Sequence, residues 1–270
     1  MSSRPEDKAG KAFWDKNWAL LAPELLDLQD RRLANEVNLR FHELFSRFVD
    51  RRRDAGRRLI EVGCARSVWL PYFATEHGLQ VSGLDYSEDG CRQSEAVLAA
   101  AGVPADVVCA DMFDPPDRLV GAFDYVFTMG VVEHFTDTTS AVAALKRLLR
   151  PGGLLITVVP NMHGSTGLAQ RTLDRQVFDT HVALAPADLA SAHKACGLEA
   201  LYCDYYMSTN YYVVNALRQK GRPLYPLVRL ASIALGRASM AAWQLERWLG
   251  RWRATRAFAP YVACIARLPG

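Results

Sequence analysis

The 270-residue sequence has no Cys-x-x-Cys pair, no long uncharged apolar run and little net charge. Each absence excludes something. Its six cysteines (Cys64, Cys91, Cys109, Cys196, Cys203 and Cys264) read as buried free thiols of a reducing compartment. The opening Met1-Ser2-Ser3-Arg4-Pro5-Glu6-Asp7-Lys8 offers no apolar core for a secretory signal, which predicts a cytoplasmic protein. No apolar run reaches the ~18 residues of a membrane span. The best stretch, Leu224 to Leu249, is cut by Arg229 and Arg237. A formal charge of +3 makes the whole chain no general binder of polyanions. What is present is ordinary: 50% hydrophobic and 23% charged residues, enough for a sizeable core and against disorder. The length fits one large α/β domain, or a domain with a small appendage.

The charge is uneven. Residues 218–256 carry nine basic side chains (Arg218, Lys220, Arg222, Arg229, Arg237, Arg247, Arg251, Arg253 and Arg256) against Glu246 alone. That net +8 leaves −5 for the rest, so the segment reads as an insertion with its own task. Within it Leu227, Leu230, Ala231, Ala234, Ala238, Ala241, Leu245, Trp248, Leu249 and Trp252 share one helical face, with a break expected near Gly236. Three uses fit: a helical lid with a solvated basic rim, a peripheral contact with an anionic membrane through 218–256, or a groove for a phosphate-bearing or lipid-linked molecule. A basic stripe without a recognisable binding module is a weak nucleic-acid footprint, so no nucleic-acid partner is expected.

The first 57 residues carry helical spacing in Leu33, Val37, Phe41, Leu44, Phe45 and Phe48, preceded by Phe13, Trp14 and Trp18. The period then changes. Short β-like runs at Arg58–Val62, Leu79–Asp85, Ala105–Cys109, Asp124–Met129 and Leu154–Val159 are separated by crossover-length segments. A fifth helix ends at Lys146–Arg150 before Pro151-Gly152-Gly153. A loop over 160–177, a helix near Pro186–Cys196 and strands at Leu198–Tyr206 and Pro260–Arg267 complete the pattern. Alternating strands and helices predict an α/β fold with a parallel sheet covered on both faces.

The chemistry concentrates at strand ends. After the first strand, Glu61-Val62-Gly63-Cys64-Ala65-Arg66-Ser67 is a small-residue turn through which backbone N–H groups can approach a ligand; a plain tight turn is the alternative. Asp85 ends the second strand and Asp111 follows the third. Three acids at successive strand ends share the sheet edge where such folds bind ligands, and they suit a positively charged ligand better than a pyrophosphate. Asp85 suits ribose hydroxyls, although it could instead cap the helix that follows. The missing second and third glycines of G-x-G-x-x-G argue against a nicotinamide-dependent oxidoreductase.

These residues carry a resemblance. Glu61-x-Gly63-x-Ala65-x-Ser67, Gly83-Leu84-Asp85-Tyr86-Ser87, Ala110-Asp111-Met112, Phe123-Asp124-Tyr125-Val126-Phe127, Gly130-Val131-Val132-Glu133-His134-Phe135 and Leu148-Leu149-Arg150-Pro151-Gly152-Gly153 resemble, in order, the motifs of class I S-adenosylmethionine-dependent methyltransferases. The resemblance implies a Rossmann-like seven-stranded sheet with an antiparallel last strand. It divides the chain into an N-terminal helical cap (1–57), a cofactor-binding core (58–206), a basic helical insertion (207–257) and the last strand (258–270). It also implies the cofactor set: Glu61 and the turn of Gly63, Cys64 and Ala65 at the methionine part, Asp85 at the ribose, Asp111 and Met112 at the adenine, with Tyr86, Met129 and Gly130 as further cofactor-binding residues. Ala65 and Ser67 depart from the family's second and third glycines, which should narrow the turn.

His134 follows the fourth strand, where the methyl donor would end. An imidazole there could take the acceptor's proton, or could simply pack. Glu133, His163 and His181 are metal-ligand types, but no pair has ligand spacing on one helix, so no metal is expected. The expected reaction is in-line methyl transfer to a small or lipid-like molecule, most readily at oxygen, with nitrogen or sulfur acceptors and a non-catalytic cofactor-binding role as alternatives.

Overall fold

Apolar runs bounded by turn residues become strands where both faces can be covered. In the computed structural model, which describes residues 5–11, 25–216 and 220–270, they form β1 (Arg58–Val62), β2 (Gln80–Asp85), β3 (Asp106–Cys109), β4 (Phe123–Met129), β5 (Leu149–Pro160), β6 (Glu199–Tyr206) and β7 (Tyr261–Arg267). The helices are α1 (Glu36–Phe45), α2 (Arg51–Asp54), α3 (Trp69–His77), α4 (Glu88–Ala100), α5 (Thr138–Lys146), α6 (Ser165–Leu173), α7 (Arg175–Asp179), α8 (Pro186–Ala195) and α9 (Tyr225–Leu249). The strands make one seven-stranded sheet in the order β3-β2-β1-β4-β5-β7-β6, with β7 antiparallel to both neighbours. Strand order reverses at β1, between β2 and β4. Open α/β sheets bind ligands at such a reversal, outside the carboxyl ends of the strands.

Alternate strand residues feed two cores. Ile60, Val126, Leu155 and Val262 face one, with Val142 and Leu145 of α5 and Leu189 of α8. Leu59, Tyr125, Ile156 and Ala263 face the other, with Phe41 and Phe45 of α1 and Trp69 and Phe73 of α3. Phe45 is the hub of the second core, its ring centroid 5.3–5.5 Å from those of Phe41, Trp69, Phe73 and Phe127. Edge-on and tilted aromatic pairs add about 0.5–1.5 kcal/mol each beyond the area they bury.

Four expectations change. The fifth strand starts at Leu149, not Leu154: Leu149 pairs with Phe123 and the register shifts before Tyr125, so Pro151-Gly152-Gly153 is absorbed into the strand. Residues 160–177, expected as a loop, contain α6 and the start of α7. Among the described residues, the N-terminal cap is not helical throughout. Residues 6–8 instead line up along 134–136, with the Thr136 N–H donating to the Glu6 carbonyl (3.1 Å) and the Lys8 N–H to the His134 carbonyl (2.9 Å). Phe13, Trp14, Trp18 and Arg218 lie outside the described residues.

The fourth change concerns the insertion. Helix α9 runs unbroken through Gly236, because the Tyr212 ring fills the place of a side chain there: a Cβ would sit 2.8 Å from it. The helix docks through Gly236, Ser239, Trp243 and Glu246. Trp243 Nε1 donates to the Thr209 carbonyl at 2.9 Å, and Ser239 Oγ accepts the Tyr211 N–H at 2.9 Å. Glu246 pairs with Arg40 at 2.8 Å, and Arg40 also pairs with Glu36 at 2.7 Å, inside the interface. The apolar stripe therefore points away from the domain, with Leu227, Leu230, Leu249 and Trp248 (73% exposed) in solvent. The stripe is not the inner face of a lid. No helix among the described residues is long and apolar enough to cross a membrane.

Candidate active site

Four strand ends converge on a cleft of about 690 Å³, open to solvent at its mouth. Val62 and Gly63 come from β1, Leu84, Asp85 and Tyr86 from β2, Ala110, Asp111 and Met112 from beyond β3, and Met129, Gly130 and Val131 from the end of β4. Asp7, His134 and Phe135 complete the described lining. Gly63 has φ +78° and its N–H donates to the Leu84 carbonyl at 2.8 Å. A Cβ at Gly63 would lie 2.4 Å from Val131 Cγ2, so only glycine allows the turn to lie this close to the exit of β4.

Asp85 locks two turns together. Its Oδ2 accepts the Ala65 N–H (3.1 Å) and its Oδ1 the Ser87 N–H (2.8 Å). The helix cap is Ser87, whose hydroxyl accepts the Gly90 N–H at 3.1 Å, so Asp85 is free of that task and lines the cleft. Asp111 fixes its own turn by accepting the Phe113 N–H at 3.0 Å, and Tyr86 donates its hydroxyl to Asp7 at 3.0 Å.

Glu61, Cys64 and Ala65 belong to the first strand and its turn but are not among the lining residues of the cleft. Cys64 is fully buried with its thiol against Gly83, so it offers the cleft no sulfur. Ala65 contributes its backbone. Ser67, in the place of the third glycine, accepts the Trp69 N–H at 2.9 Å, just ahead of α3. Glu61 is 3% exposed, and burial pushes its carboxyl up to about 8. One of its oxygens has no partner. A buried carboxylate of this kind gains most from a neighbouring positive charge.

His134 lies past Gly130 at the edge of the cleft, buried, with Nδ1 2.9 Å from the Thr180 carbonyl. That bond sets the tautomer with the proton on Nδ1 and the lone pair on Nε2. Burial holds the imidazole below its ordinary range, which keeps it neutral at pH 7. Glu133 beside it is 1% exposed, and burial pushes its carboxyl up to about 8. The loop after α7 brings His181 against His134, ring centroids 4.6 Å apart, whereas His163 is exposed elsewhere. Sequence spacing gave no sign of this meeting, because the two imidazoles come from different loops. Asp7 was also missed, for nothing in its surroundings marks it. No described residue of 207–257 lines the cleft.

The cleft suits S-adenosylmethionine. The Gly63 turn leaves room that a Cβ would fill, acids stand at three strand ends, and Leu84, Met112 and Phe135 offer apolar walls for a flat ring. A methyltransferase domain is matched by residues 30–202. The chain is 30% identical over 165 residues to a ubiquinone biosynthesis O-methyltransferase of Chromobacterium violaceum, covering 57% of this chain and 71% of the relative. It is 31% identical over 162 residues to the protein of the same name from Thiobacillus denitrificans, covering 57% and 69%. Among solved structures, the cyclase SpnF superposes with a TM-score of 0.64 at 18% identity, covering 98% of this chain and 97% of that one, a likeness of fold alone. Fold, strand-end chemistry and the family match agree: the chain is a member of the class I S-adenosylmethionine-dependent methyltransferases, and an enzyme of that kind.

Proposed function

We propose that this methyltransferase methylates an oxygen of a small, lipid-like, hydroxyl-bearing molecule of the kind that leads to ubiquinone. The supporting observation is the placement of His134, a neutral imidazole at the cleft edge just past Gly130. When bound, the cofactor supplies a methyl carbon on a positively charged sulfur, and the C–S electron pair leaves with the sulfur. The chain's own residues do the rest. Gly63 and Gly130 bring backbone close, Asp85 takes the ribose hydroxyls, Asp111 and Met112 flank the adenine, and Glu61 favours the cationic end. Tyr86 and Asp7 tie the N-terminal segment over the cleft. An oxygen nucleophile must lose its proton, and His134, which lines the cleft, would accept it through Nε2. The names of the relatives favour oxygen over nitrogen or sulfur.

A lipid-like acceptor also gives the outward face of α9 a use. Exposed Leu227, Leu230, Trp248 and Leu249 flanked by Arg229, Arg237 and Arg253 suit the surface of an anionic membrane. The function is tested by incubating the chain with S-adenosylmethionine and hydroxylated, prenylated aromatic acceptors. Enzyme-dependent O-methyl product supports it; methyl transfer confined to amines or thiols overturns it.

A further inference from the structure

Glu133, His134 and His181 form a cluster that the single-base role of His134 does not use up. One donor atom from each lies within 4.8 Å of the others, and Glu133 Oε1 is 3.8 Å from His134 Nε2. Both carboxylate oxygens of Glu133 are buried without a hydrogen-bond partner. Leaving a buried carboxylate unpartnered costs several kcal/mol unless something positive faces it.

The two imidazoles are set up in the same way. His134 Nδ1 is 2.9 Å from the Thr180 carbonyl, and His181 Nδ1 is 2.7 Å from the Val177 carbonyl at the end of α7. Each Nδ1–H donates to the backbone, which leaves the lone pair on Nε2. Backbone carbonyls that fix the tautomer and tilt of an imidazole are the usual outer support of a metal-ligating histidine.

We infer that Glu133, His134 and His181 bind a divalent transition-metal ion, zinc or a close relative, at the edge of the methyl-transfer cleft. Two imidazoles and one carboxylate with a remaining open position is a catalytic rather than a structural ligand set. Donors ~2.1 Å from one ion are at most ~4.2 Å apart, so the set closes by some tenths of an ångström of side-chain rotation. His134 lines the cleft, so the open position is within reach of an acceptor hydroxyl. An oxygen bound to the ion ionises near neutral pH, its proton passing to water, and the metal keeps its oxidation state. His134 then acts as a ligand through Nε2 and no longer as a base, and the ion takes over the proton-removing task.

The purpose given to the ion rests on the oxygen-methylation reading, but its binding does not. Calorimetric titration of the chelator-treated protein with Zn²⁺ alone, without cofactor or acceptor, is expected to give one site per chain. His181→Ala and Glu133→Gln should each weaken it at least ~100-fold, beyond the 10–100-fold loss typical of outer-shell changes. His163→Ala should leave it unchanged. Co²⁺ should give a visible absorption band with nitrogen and oxygen ligands that vanishes in the same two variants. Melting curves establish that each variant is folded, and His181→Gln replaces His181→Ala if the latter is not. Substoichiometric Zn²⁺, or binding unaltered in both ligand variants, overturns the site. Zn²⁺ bound by these residues without any O-methyl transfer overturns the functional reading and leaves the site standing.

Discussion

Arg40 Nη2 and Glu246 Oε2 meet at 2.8 Å inside the protein, joining α1 to a helix 206 positions away in the chain. Arg40 also binds Glu36, and Arg247 reaches Glu36 at 2.7 Å from a position one third exposed. This buried network, with Trp243, is what docks α9 on the domain.

Removing one member of a buried pair leaves the other charge uncompensated. Glu246→Ala should cost about 3–5 kcal/mol of stability, whereas Arg247→Ala should cost no more than about 1 kcal/mol. Urea unfolding of the two variants measures the difference. Equal effects would mean that the network is solvated and that apolar packing alone holds α9.

Gly63→Ala places a side chain at φ +78° and against Val131. Strain of about 1–3 kcal/mol is expected. Cofactor binding should fall with it, as the turn is pushed off the exit of β4. A variant with wild-type melting temperature and wild-type affinity for S-adenosylhomocysteine would show that the turn is not a close-approach site.

The hydroxyl of Tyr72 bridges two imidazoles, 2.9 Å from His42 Nδ1 and 3.0 Å from His77 Nε2. Burial, and then the neighbouring His42, holds His77 down to about 4, against pulls from Asp54 and Asp50. The unfolded chain, with an ordinary value near ~6.5, binds more protons between the two values, so stability is full above ~6.5 and falls as the pH drops toward 4. His77 alone should remove about 1–2 kcal/mol between pH 7 and 5. His77→Gln should flatten that part of the pH–stability curve; an unchanged slope would assign the acid loss to other groups.

The outward stripe of α9 predicts that the chain sediments with anionic vesicles and not with zwitterionic ones, with salt weakening the contact. Leu227→Glu combined with Trp248→Glu should abolish sedimentation while leaving cofactor affinity unchanged. Sedimentation that survives both changes would place the membrane contact elsewhere.

The strands were readable because sequences such as Leu59-Ile60 and Val126-Phe127 are apolar on both faces. Gly63, Asp85 and Asp111 were readable because each closes a strand at the same sheet edge. What could not be read depends on contacts between distant segments. His181 reaches His134 only because α7 ends beside the loop after β4, and Asp7 enters the cleft only through the pairing of residues 6–8 with 134–136. Helical periodicity showed that α9 has an apolar stripe, but not that the opposite face, with Trp243 and a buried ion pair, would be turned inward. Nor did the roughly 1 kcal/mol cost of a helical glycine break the helix at Gly236, where the Tyr212 ring compensates by packing.

The cofactor should bind at the sheet edge that Asp85 closes. Calorimetric titration of the native chain and of Asp85→Ala with S-adenosylmethionine and with NAD is the deciding measurement. One S-adenosylmethionine per native chain, a loss of about 1.5–3 kcal/mol in folded Asp85→Ala, and no NAD binding are predicted. Unchanged affinity in the variant, or binding of NAD in preference, would contradict it.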